Sequence, residues 1–426
     1  MNNYGGGANL LLEGCRCLDL SNEKGLLCGK LLAELGAEVI KVEKPGGDLA
    51  RNIGPFYKDI PHPERSLYWF ALNTNKRSIT LEVETVDGLE IFKKLVRTAD
   101  VVIESFDPGY MERLGLDYSV LEKINPRVIM TSITPFGQTG PHAGYKASDI
   151  TLSAMGGFLY LNGDPDRSPV RISAPQSYLV GGAHAAMATV IAYYHQQVSG
   201  EGQHIDVSIQ EAVIHLLSIA PPEWESTRIN ARRAGPCFFH ARPTPPGPTL
   251  PRFHWPCKDG YVSFMIGGGT QRGMVNSTNS ILDMMRKEGM ADWLKDYDPS
   301  TFNGSTITQE ERERMNQVFL RYIQSKTKKE LFEAAVEKGI VLCPLNTIQD
   351  IFESPQLSER KYFIEVEHPE LGESITYPGF SVKLNGAPSQ TMRRAPFIGE
   401  HNEEIYEKEI DITREHILML KQAGVI

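Results

Sequence analysis

The chain has 426 residues, of which 41% are hydrophobic and 23% are charged, and its formal net charge is −9 at pH 7. This length exceeds one ordinary hydrophobic core and predicts two domains. The acidic balance excludes a general nucleic-acid binder, whose binding domain would be basic, and six irregularly spaced cysteines predict a reducing compartment rather than a disulfide framework.

The N-terminal residues show no targeting signal. Residues 1–14 lack a basic region and have only residues 10–12 as an apolar core, which is too short for a signal peptide. The longest apolar stretch, residues 179–194, is interrupted by His184 and is shorter than the ~20 residues that a membrane span needs. We therefore expect a cytoplasmic protein with no membrane partner.

The first 135 residues alternate between the patterns of strands and helices. Apolar alternation predicts five strands: residues 16–20, 38–43, 78–83, 101–104 and 127–133. Helical periodicity predicts three helices: residues 25–35, 86–96 and 117–124. Gly36 stands where a glycine ends the first helix. Repeated βαβ units of this kind form a mostly parallel sheet, and ligands bind at the loops after the carboxyl ends of its strands.

The middle of the chain predicts a second domain. Residues 147–219 are mainly apolar with helical spacing, and the proline-rich segment 243–251 then breaks regular structure. It is followed by a predicted strand at 260–266 and by charged helices within 281–338, before the apolar pattern returns near Leu342. We therefore predict three segments: a large α/β domain from residues 1–235, a linker and small domain over 236–345, and a C-terminal segment, 346–426, that returns to the large domain.

No short motif identifies a reaction. Residues 25–31 resemble a phosphate loop only superficially, because the spacing is one residue short and Leu31 occupies the place of a metal-binding Ser or Thr. The eleven histidines form no metal-like cluster, so we predict no metal site. Residues 267–269, three glycines after a predicted strand, fit either a ligand loop or a plain loop. The residues alone predict a two-domain α/β protein.

Four segments together resemble the class III CoA-transferases of the CaiB/BaiF type. They are residues 35–43 (LGAEVIKVE), 73–81 (NTNKRSITL), 102–115 (VIESFDPGYMERLG) and 189–213, which includes SGEGQHIDVS. Weaker similarity continues at residues 258–261, 343–346 and 398–401. The resemblance spans nearly the whole chain in family order. It implies a Rossmann-like large domain formed by both chain ends, an inserted smaller α+β domain, and an interlocked dimer.

The resemblance also implies that the large domain binds coenzyme A or acyl-CoA as substrate, with no prosthetic group. The matching positions are Lys44, Leu81, Ser105, Phe106, Arg113 and Lys146. Lys and Arg side chains can neutralise phosphate, and an aromatic ring can pack on adenine. The alternative is that Arg113 and Lys146 are solvated surface charges. Ser105 replaces the Asn usual in the family and reaches less far.

The sequence departs from the family at the nucleophile. In catalytic members an aspartate follows a Gly-x-Pro-Asp-like turn, here residues 163–166, and attacks the acyl-CoA thioester. An ungapped alignment places Tyr178 at that position. The ordinary pKa of a phenol is near 10, so little phenolate exists at neutral pH. We therefore expect no catalytic residue in this chain and expect Tyr178 to fill the pocket.

Three functions remain open at this point. The first, which the resemblance implies, is a subunit of a heteromeric CoA-transferase that moves CoA between succinyl-CoA and a carboxylic acid such as benzylsuccinate in anaerobic aromatic degradation. Its partner would be a homologous subunit that carries the catalytic Asp, in an interlocked heterodimer or heterotetramer. The second is a self-sufficient transferase or isomerase that uses another residue, and the third is a non-enzymatic CoA-binding scaffold. Tyr178 favours the first.

Overall fold

The computed structural model of the chain describes residues 10–239, 249–383 and 392–426, so most of the predicted proline-rich break lies outside the described residues. The strands are β1 (Arg16–Asp19), β2 (Glu38–Glu43), β3 (Arg77–Thr80), β4 (Val101–Glu104), β5 (Ile129–Thr134), β6 (His204–Ser208), β7 (His254–Cys257), β8 (Gly260–Phe264), β9 (Leu342–Pro344), β10 (Phe363–His368) and β11 (Glu373–Pro378). The α-helices are α1 (Leu26–Glu34), α2 (Leu67–Leu72), α3 (Val86–Val96), α4 (Tyr110–Arg113), α5 (Tyr118–Ile124), α6 (Asp149–Met155), α7 (Phe158–Leu161), α8 (Gln176–Ser199), α9 (Ile209–Ile214), α10 (Ala220–Thr227), α11 (Arg272–Lys287), α12 (Gln309–Gln324), α13 (Lys328–Lys338), α14 (Ile348–Phe352), α15 (Pro355–Glu359) and α16 (Arg414–Gln422).

Strands β1 to β6 form one parallel sheet. Their order is β3-β2-β1-β4-β5-β6, which is the Rossmann order. Every residue of β4 and β5 is buried, as expected for a parallel sheet covered on both faces. The predicted βαβ series and the α/β class are confirmed. The strand order reverses between β1 and β4, and this reversal is the point at which such sheets bind ligands.

The chain divides into two compact units. The first comprises the described residues of Met1–Gly156, Ile172–Leu216 and Pro355–Ile426, and the second comprises those of Gly157–Arg171 and Leu217–Ser354. Both chain ends therefore belong to the first unit, and the second is inserted. The main divisions fall at 216/217 and 354/355, whereas the sequence places them at 235/236 and 345/346. The helical pattern of the sequence continues through α10, so no change of composition marks the first division.

The second unit is an α+β structure. Strands β7, β8 and β9 form an antiparallel sheet, and α11, α12 and α13 supply much of the core beside it. Trp255 is fully buried in that core and its indole N–H donates to the carbonyl oxygen of Phe264 at 2.6 Å. Capping boxes at Thr308 and Thr327 begin α12 and α13, because each threonine satisfies a free N–H in the first turn.

Lys76, which lies in the family-like segment 73–81, forms a buried ionic network with Asp19 in the first unit. The Lys76 ammonium lies 2.8 Å from an Asp19 carboxylate oxygen and also donates to the carbonyl of Leu26 and the side chain of Asn73, both at 2.9 Å. Burial acts to raise the pKa of Asp19, but the charges of Lys76 and Lys41 outweigh it and lower that pKa. Both partners of the Asp19–Lys76 pair have no exposed side-chain surface.

A second buried pair fixes the loop after β2. The Arg51 guanidinium binds both carboxylate oxygens of Glu43, at 2.6 and 2.8 Å, and lies 3.9 Å above the ring of Trp69. Ser78 donates to the same carboxylate at 2.7 Å. A planar guanidinium suits this bidentate, stacked arrangement. The family-like segments 35–43 and 73–81 thus contribute mainly to the internal structure of the sheet edge.

The C-terminal segment covers the edge strand β3. Thr80 donates its backbone N–H to the side chain of Asn402 at 2.9 Å, and His401 donates its backbone N–H to the carbonyl of Ser78 at 2.9 Å. Tyr406 donates its hydroxyl to the carbonyl of Thr80 at 2.6 Å. These bonds occupy backbone groups that an open sheet edge would leave unpaired.

Helix α8 packs closely on its neighbours through two glycines. A Cβ atom on Gly182 would lie 2.9 Å from Leu27, and one on Gly181 would lie 2.9 Å from Ile209. Gly181 and Gly182 therefore allow α8 to pack closely against α9 and α1. Within the described residues, no helix combines the length and the apolar character needed to cross a membrane.

Candidate functional site

Four of the six predicted CoA-binding residues follow the carboxyl ends of three strands of the parallel sheet. Lys44 follows β2, Leu81 follows β3, and Ser105 and Phe106 follow β4. These ends share one edge of a parallel sheet, which is where ligands bind in this architecture. Arg113 ends α4, which begins six residues after β4. The fold therefore places five of the six positions at one edge.

The Lys44 ammonium is held by carboxylates. Its nitrogen lies 3.1 Å from an oxygen of Glu84 and 3.5 Å from an oxygen of Glu82. Tyr110 donates its hydroxyl to the same Glu84 oxygen at 2.6 Å. Burial acts to lower the pKa of Lys44, but the hydrogen bond to Glu84 and both carboxylate charges raise it. Lys44 is therefore a paired cation before any ligand arrives.

Two aromatic rings lie beside this ion pair. The ring centroids of Phe106 and Tyr110 are 4.5 Å apart, and the Arg113 guanidinium lies 5.6 Å from the Tyr110 centroid. Tyr110 thus contacts Phe106 and Arg113 through its ring and contacts Glu84, the partner of Lys44, through its hydroxyl. A half-buried ring between two cations suits a nucleotide base that carries phosphate groups. We call Lys44, Glu84, Phe106, Tyr110 and Arg113 the Lys44 cluster.

Ser105 occupies the point where the strand order reverses. Its side chain is buried; its hydroxyl accepts the backbone N–H of Asn22 and donates to the Asn22 side-chain oxygen, both at 2.9 Å. The Lys24 ammonium lies 3.5 Å from the Ser105 carbonyl oxygen. Because Asn22 follows β1 and Ser105 follows β4, their bonds tie the two strand ends together. A ligand at this point would therefore meet Asn22 and Lys24 rather than the Ser105 hydroxyl.

Leu81 and Lys146 differ from the other positions. The Leu81 side chain is buried in the main hydrophobic core and its N–H donates to the carbonyl of Glu43 at 2.6 Å. Leu81 therefore offers a ligand little more than its backbone. Lys146 is exposed on the loop after β5, next to Tyr145, whose ring lies 4.9 Å from that of His142. Lys146 remains available at the protein surface.

A polar cavity of about 350 Å³ opens near the carboxyl end of β4, the middle of β5 and the amino end of β6. Buried Glu104 and Ser132 line it together with exposed His204, whose ring stacks on Tyr118 with centroids 5.7 Å apart. Its lining residues also include three carboxylates: Asp107, Glu112 and Asp117. No Lys or Arg occurs among the described residues that line it. Phosphate groups are therefore better accommodated by the Lys44 cluster than by this cavity.

Tyr178 lies in the first turn of α8 and is buried. The preceding residue, Ser177, donates its N–H to the Asp149 carboxylate at 2.9 Å and its hydroxyl to the Asp149 carbonyl at 3.0 Å. Burial raises the pKa of the Tyr68 phenol, and electrostatic interactions with Glu23, Tyr178 and Asp149 raise it further. The helix start thus brings two phenols and one carboxylate together.

Comparison with known proteins identifies the family. Residues 12–402 match the model described as CoA-transferase family III. The chain is also 35% identical over 395 residues, 92% of each chain, to succinyl-CoA:(R)-benzylsuccinate CoA-transferase subunit BbsE of Thauera aromatica. The chain belongs to CoA-transferase family III. It is therefore a CoA-transferase with CoA thioesters as substrates.

Two further comparisons agree with this family III assignment. The chain is 30% identical over 422 residues, 98% of each chain, to the succinyl-CoA–L-malate CoA-transferase beta subunit of Chloroflexus aurantiacus. A crystal structure of a CAIB/BAIF family protein from Brucella suis matches with a TM-score of 0.79 and 30% identity, covering 95% of this chain and 100% of that chain. The resemblance drawn from the four sequence segments is confirmed. This family III chain is close to transferase subunits that use succinyl-CoA.

The sequence reasoning missed three residues of the candidate site. Glu84 accepts hydrogen bonds from Lys44 and from the Tyr110 hydroxyl, and Asn22 bonds to Ser105. Each lies a few residues after the carboxyl end of a strand, so the predicted strands already indicated that these residues lie near the ligand-binding edge. Their pairing partners come from different loops, however, and a single sequence does not reveal such contacts.

Glu104 of this CoA-transferase predicts a pH dependence of stability. Burial raises the pKa of Glu104 from 4.5 to about 7, against the hydrogen bonds of Ser132 and the Phe106 N–H. The folded chain therefore keeps a proton that the unfolded chain loses, and the free energy of unfolding falls as the pH rises from about 4.5 to about 7. When the pH is raised from 4.5 to 8, the free energy of unfolding measured in urea should fall by about 3 kcal/mol less for Glu104→Gln than for the parent.

The control for this measurement is Glu112→Gln, which removes an exposed carboxylate from the same cavity. We expect its pH dependence to follow that of the parent. If the free energies of unfolding of Glu104→Gln and the parent change with pH in parallel, Glu104 ionises normally in the folded chain.

Proposed function

We propose that this chain is the non-nucleophilic subunit of a heteromeric family III CoA-transferase. It pairs with a homologous subunit that carries the catalytic aspartate, in an interlocked cytoplasmic heterodimer or heterotetramer. The complex moves CoA from succinyl-CoA to a carboxylic acid such as benzylsuccinate. No prosthetic group takes part. The observation that carries this proposal is Tyr178 at the family's nucleophile position, buried in the first turn of α8.

The chemistry of Tyr178 supports the proposal. The family reaction begins when a carboxylate oxygen attacks the thioester carbonyl carbon, which breaks the carbon–sulfur bond and releases the CoA thiolate. A phenol with an ordinary pKa near 10 is almost wholly protonated at neutral pH. Tyr178 is also among the buried residues, so its role is packing at the start of α8. In this proposal the attacking carboxylate comes from the partner subunit.

In this proposal the present chain holds CoA at the edge of its sheet. Phe106 packs on the adenine, Lys44 and Arg113 face its phosphate groups, and Lys146 supplies a further cation from the loop after β5. The Leu81 and Ser105 positions contribute through their backbone, because the Leu81 side chain is in the core and the Ser105 hydroxyl is bonded to Asn22. The names of the relatives that are subunits support a paired assembly.

An exposed apolar stripe on α8 supports the assembly. Met187, Ile191, Tyr194 and Val198 follow one another at intervals of four, three and four residues, and each is more than half exposed. The opposite face, which includes Thr189, is buried. A seam with this spacing suits pairing with another helix. No charged side chain occurs within this stripe to oppose an apolar partner.

Ile191→Asp tests the stripe. The substitution places a charge at the centre of the proposed contact, so recovery of the partner subunit on an affinity-tagged chain should fall at least about tenfold. The melting temperature of the chain itself should stay unchanged, because Ile191 is 62% exposed. The matched control is Val86→Asp, which introduces the same charge at an exposed position on α3. Full recovery of the partner by Ile191→Asp would exclude α8 from the interface.

A further inference from the structure

The charges around Lys44 balance without any ligand. Glu82 and Glu84 both lie within 3.5 Å of its ammonium group. With Arg113 5.6 Å from the Tyr110 ring, this edge of the site carries two cations and two carboxylates. A phosphate group that approaches Lys44 must therefore displace Glu84 or remain beside it, and a carboxylate next to phosphate is repulsive.

Glu84 is held more firmly than an ordinary surface carboxylate. One of its oxygens accepts both the Tyr110 hydroxyl, at 2.6 Å, and the Lys44 ammonium, at 3.1 Å. The Tyr110 ring in turn packs on Phe106. The hydrogen bond from Tyr110, followed by Lys44, lowers the pKa of Glu84, so it is anionic at neutral pH. Movement of Glu84 away from Lys44 would break its bond to Tyr110 as well.

We propose that Glu84 is a specificity-determining residue that weakens the binding of the phosphate groups of CoA at Lys44. The inference rests on the proposed CoA site. It predicts that this chain gains little affinity from the CoA phosphate that lies at Lys44, although the base still has the Phe106 and Tyr110 rings to pack on. The phosphate concerned is either the 3′-phosphate or the diphosphate, since both are attached to the ribose that carries the base.

Calorimetric titration of the full chain with CoA and with 3′-dephospho-CoA tests this role. For the parent we expect dissociation constants for the two ligands within about threefold of each other. Glu84→Gln keeps the size of the side chain and a hydrogen-bond acceptor for Tyr110 but removes the nearer of the two carboxylate charges beside Lys44. It should tighten CoA binding about tenfold at low salt, and the gain should shrink at 0.5 M NaCl, where exposed charges are screened.

The comparison of CoA with 3′-dephospho-CoA identifies which phosphate lies at Lys44. A gain for CoA alone assigns the 3′-phosphate to Lys44, and an equal gain for both ligands assigns the diphosphate. The matched control is Glu90→Gln, which removes the carboxylate of another exposed Lys–Glu pair, with Lys93 on α3. An equal gain from Glu90→Gln, or a change below twofold in Glu84→Gln, would overturn the role of Glu84. If neither protein binds either ligand, the proposed CoA site fails together with this inference.

Discussion

Lys76→Met should lower the free energy of unfolding by about 3–5 kcal/mol. Lys76 forms three buried hydrogen bonds, to Asp19, Leu26 and Asn73. Methionine has a similar volume, so the change removes the charge and leaves little cavity. Asp19 would then remain at the carboxyl end of β1 with no exposed side-chain surface and without its closest cation. An unpaired buried carboxylate is much costlier than a lost surface pair.

Urea unfolding of the two proteins measures this difference, and Lys93→Met is the matched control. Lys93 pairs with Glu90 on the exposed surface of α3, so its loss should change stability by about 0.5 kcal/mol or less. The double variant Asp19→Asn/Lys76→Met should recover part of the loss, because no charge is then left unpaired. A loss below 1 kcal/mol in Lys76→Met would mean that the buried pair is dispensable.

Transfer activity should depend on the partner subunit. The purified chain alone should move CoA from succinyl-CoA to benzylsuccinate at least about a thousandfold more slowly than the complete complex, since the proposal assigns the nucleophile to the partner. Within the complex, Tyr178→Phe should leave the rate within about twofold, because the phenol hydroxyl has no part in the chemistry. Replacement of the partner's aspartate by alanine should abolish transfer.

Liquid chromatography of the acyl-CoA products measures these rates. Tyr178→Phe keeps the ring that fills the start of α8, so a loss of activity in this variant would report the hydroxyl itself rather than packing. A strong loss would favour the second hypothesis from the sequence, a chain that uses another residue for catalysis. Full activity of the unpartnered chain would contradict the paired-subunit proposal.

Much of the fold could be predicted from local patterns. Helix α3 and strand β4 were predicted at their observed limits, since each has a clear periodicity. Thr85 begins α3 as a capping residue, which is a signal that a sequence carries in itself. Strand β3 is shorter than predicted and ends at Thr80. Glu82, one of its last predicted residues, instead donates its N–H to the carbonyl of Val425, so its position depends on distant sequence.

The candidate site was less predictable because it depends on pairs from different loops. The sequence located Lys44, Phe106 and Arg113 through a family resemblance, but not the Glu84 and Tyr110 side chains that join them. Ser105 was expected to face a ligand, and its hydroxyl instead binds Asn22. Contacts between loops after β1, β2, β3 and β4 follow from the strand order, which a single sequence does not determine.

The central claim is that this family III chain works with a homologous subunit that supplies the aspartate. Isolation of the chain at native expression from its source, followed by mass spectrometry of what co-purifies, tests it most directly. We predict a stoichiometric homologue with Asp at the position of Tyr178. Recovery of this chain only with itself would contradict the claim, and the nucleophile would then have to be sought within this chain.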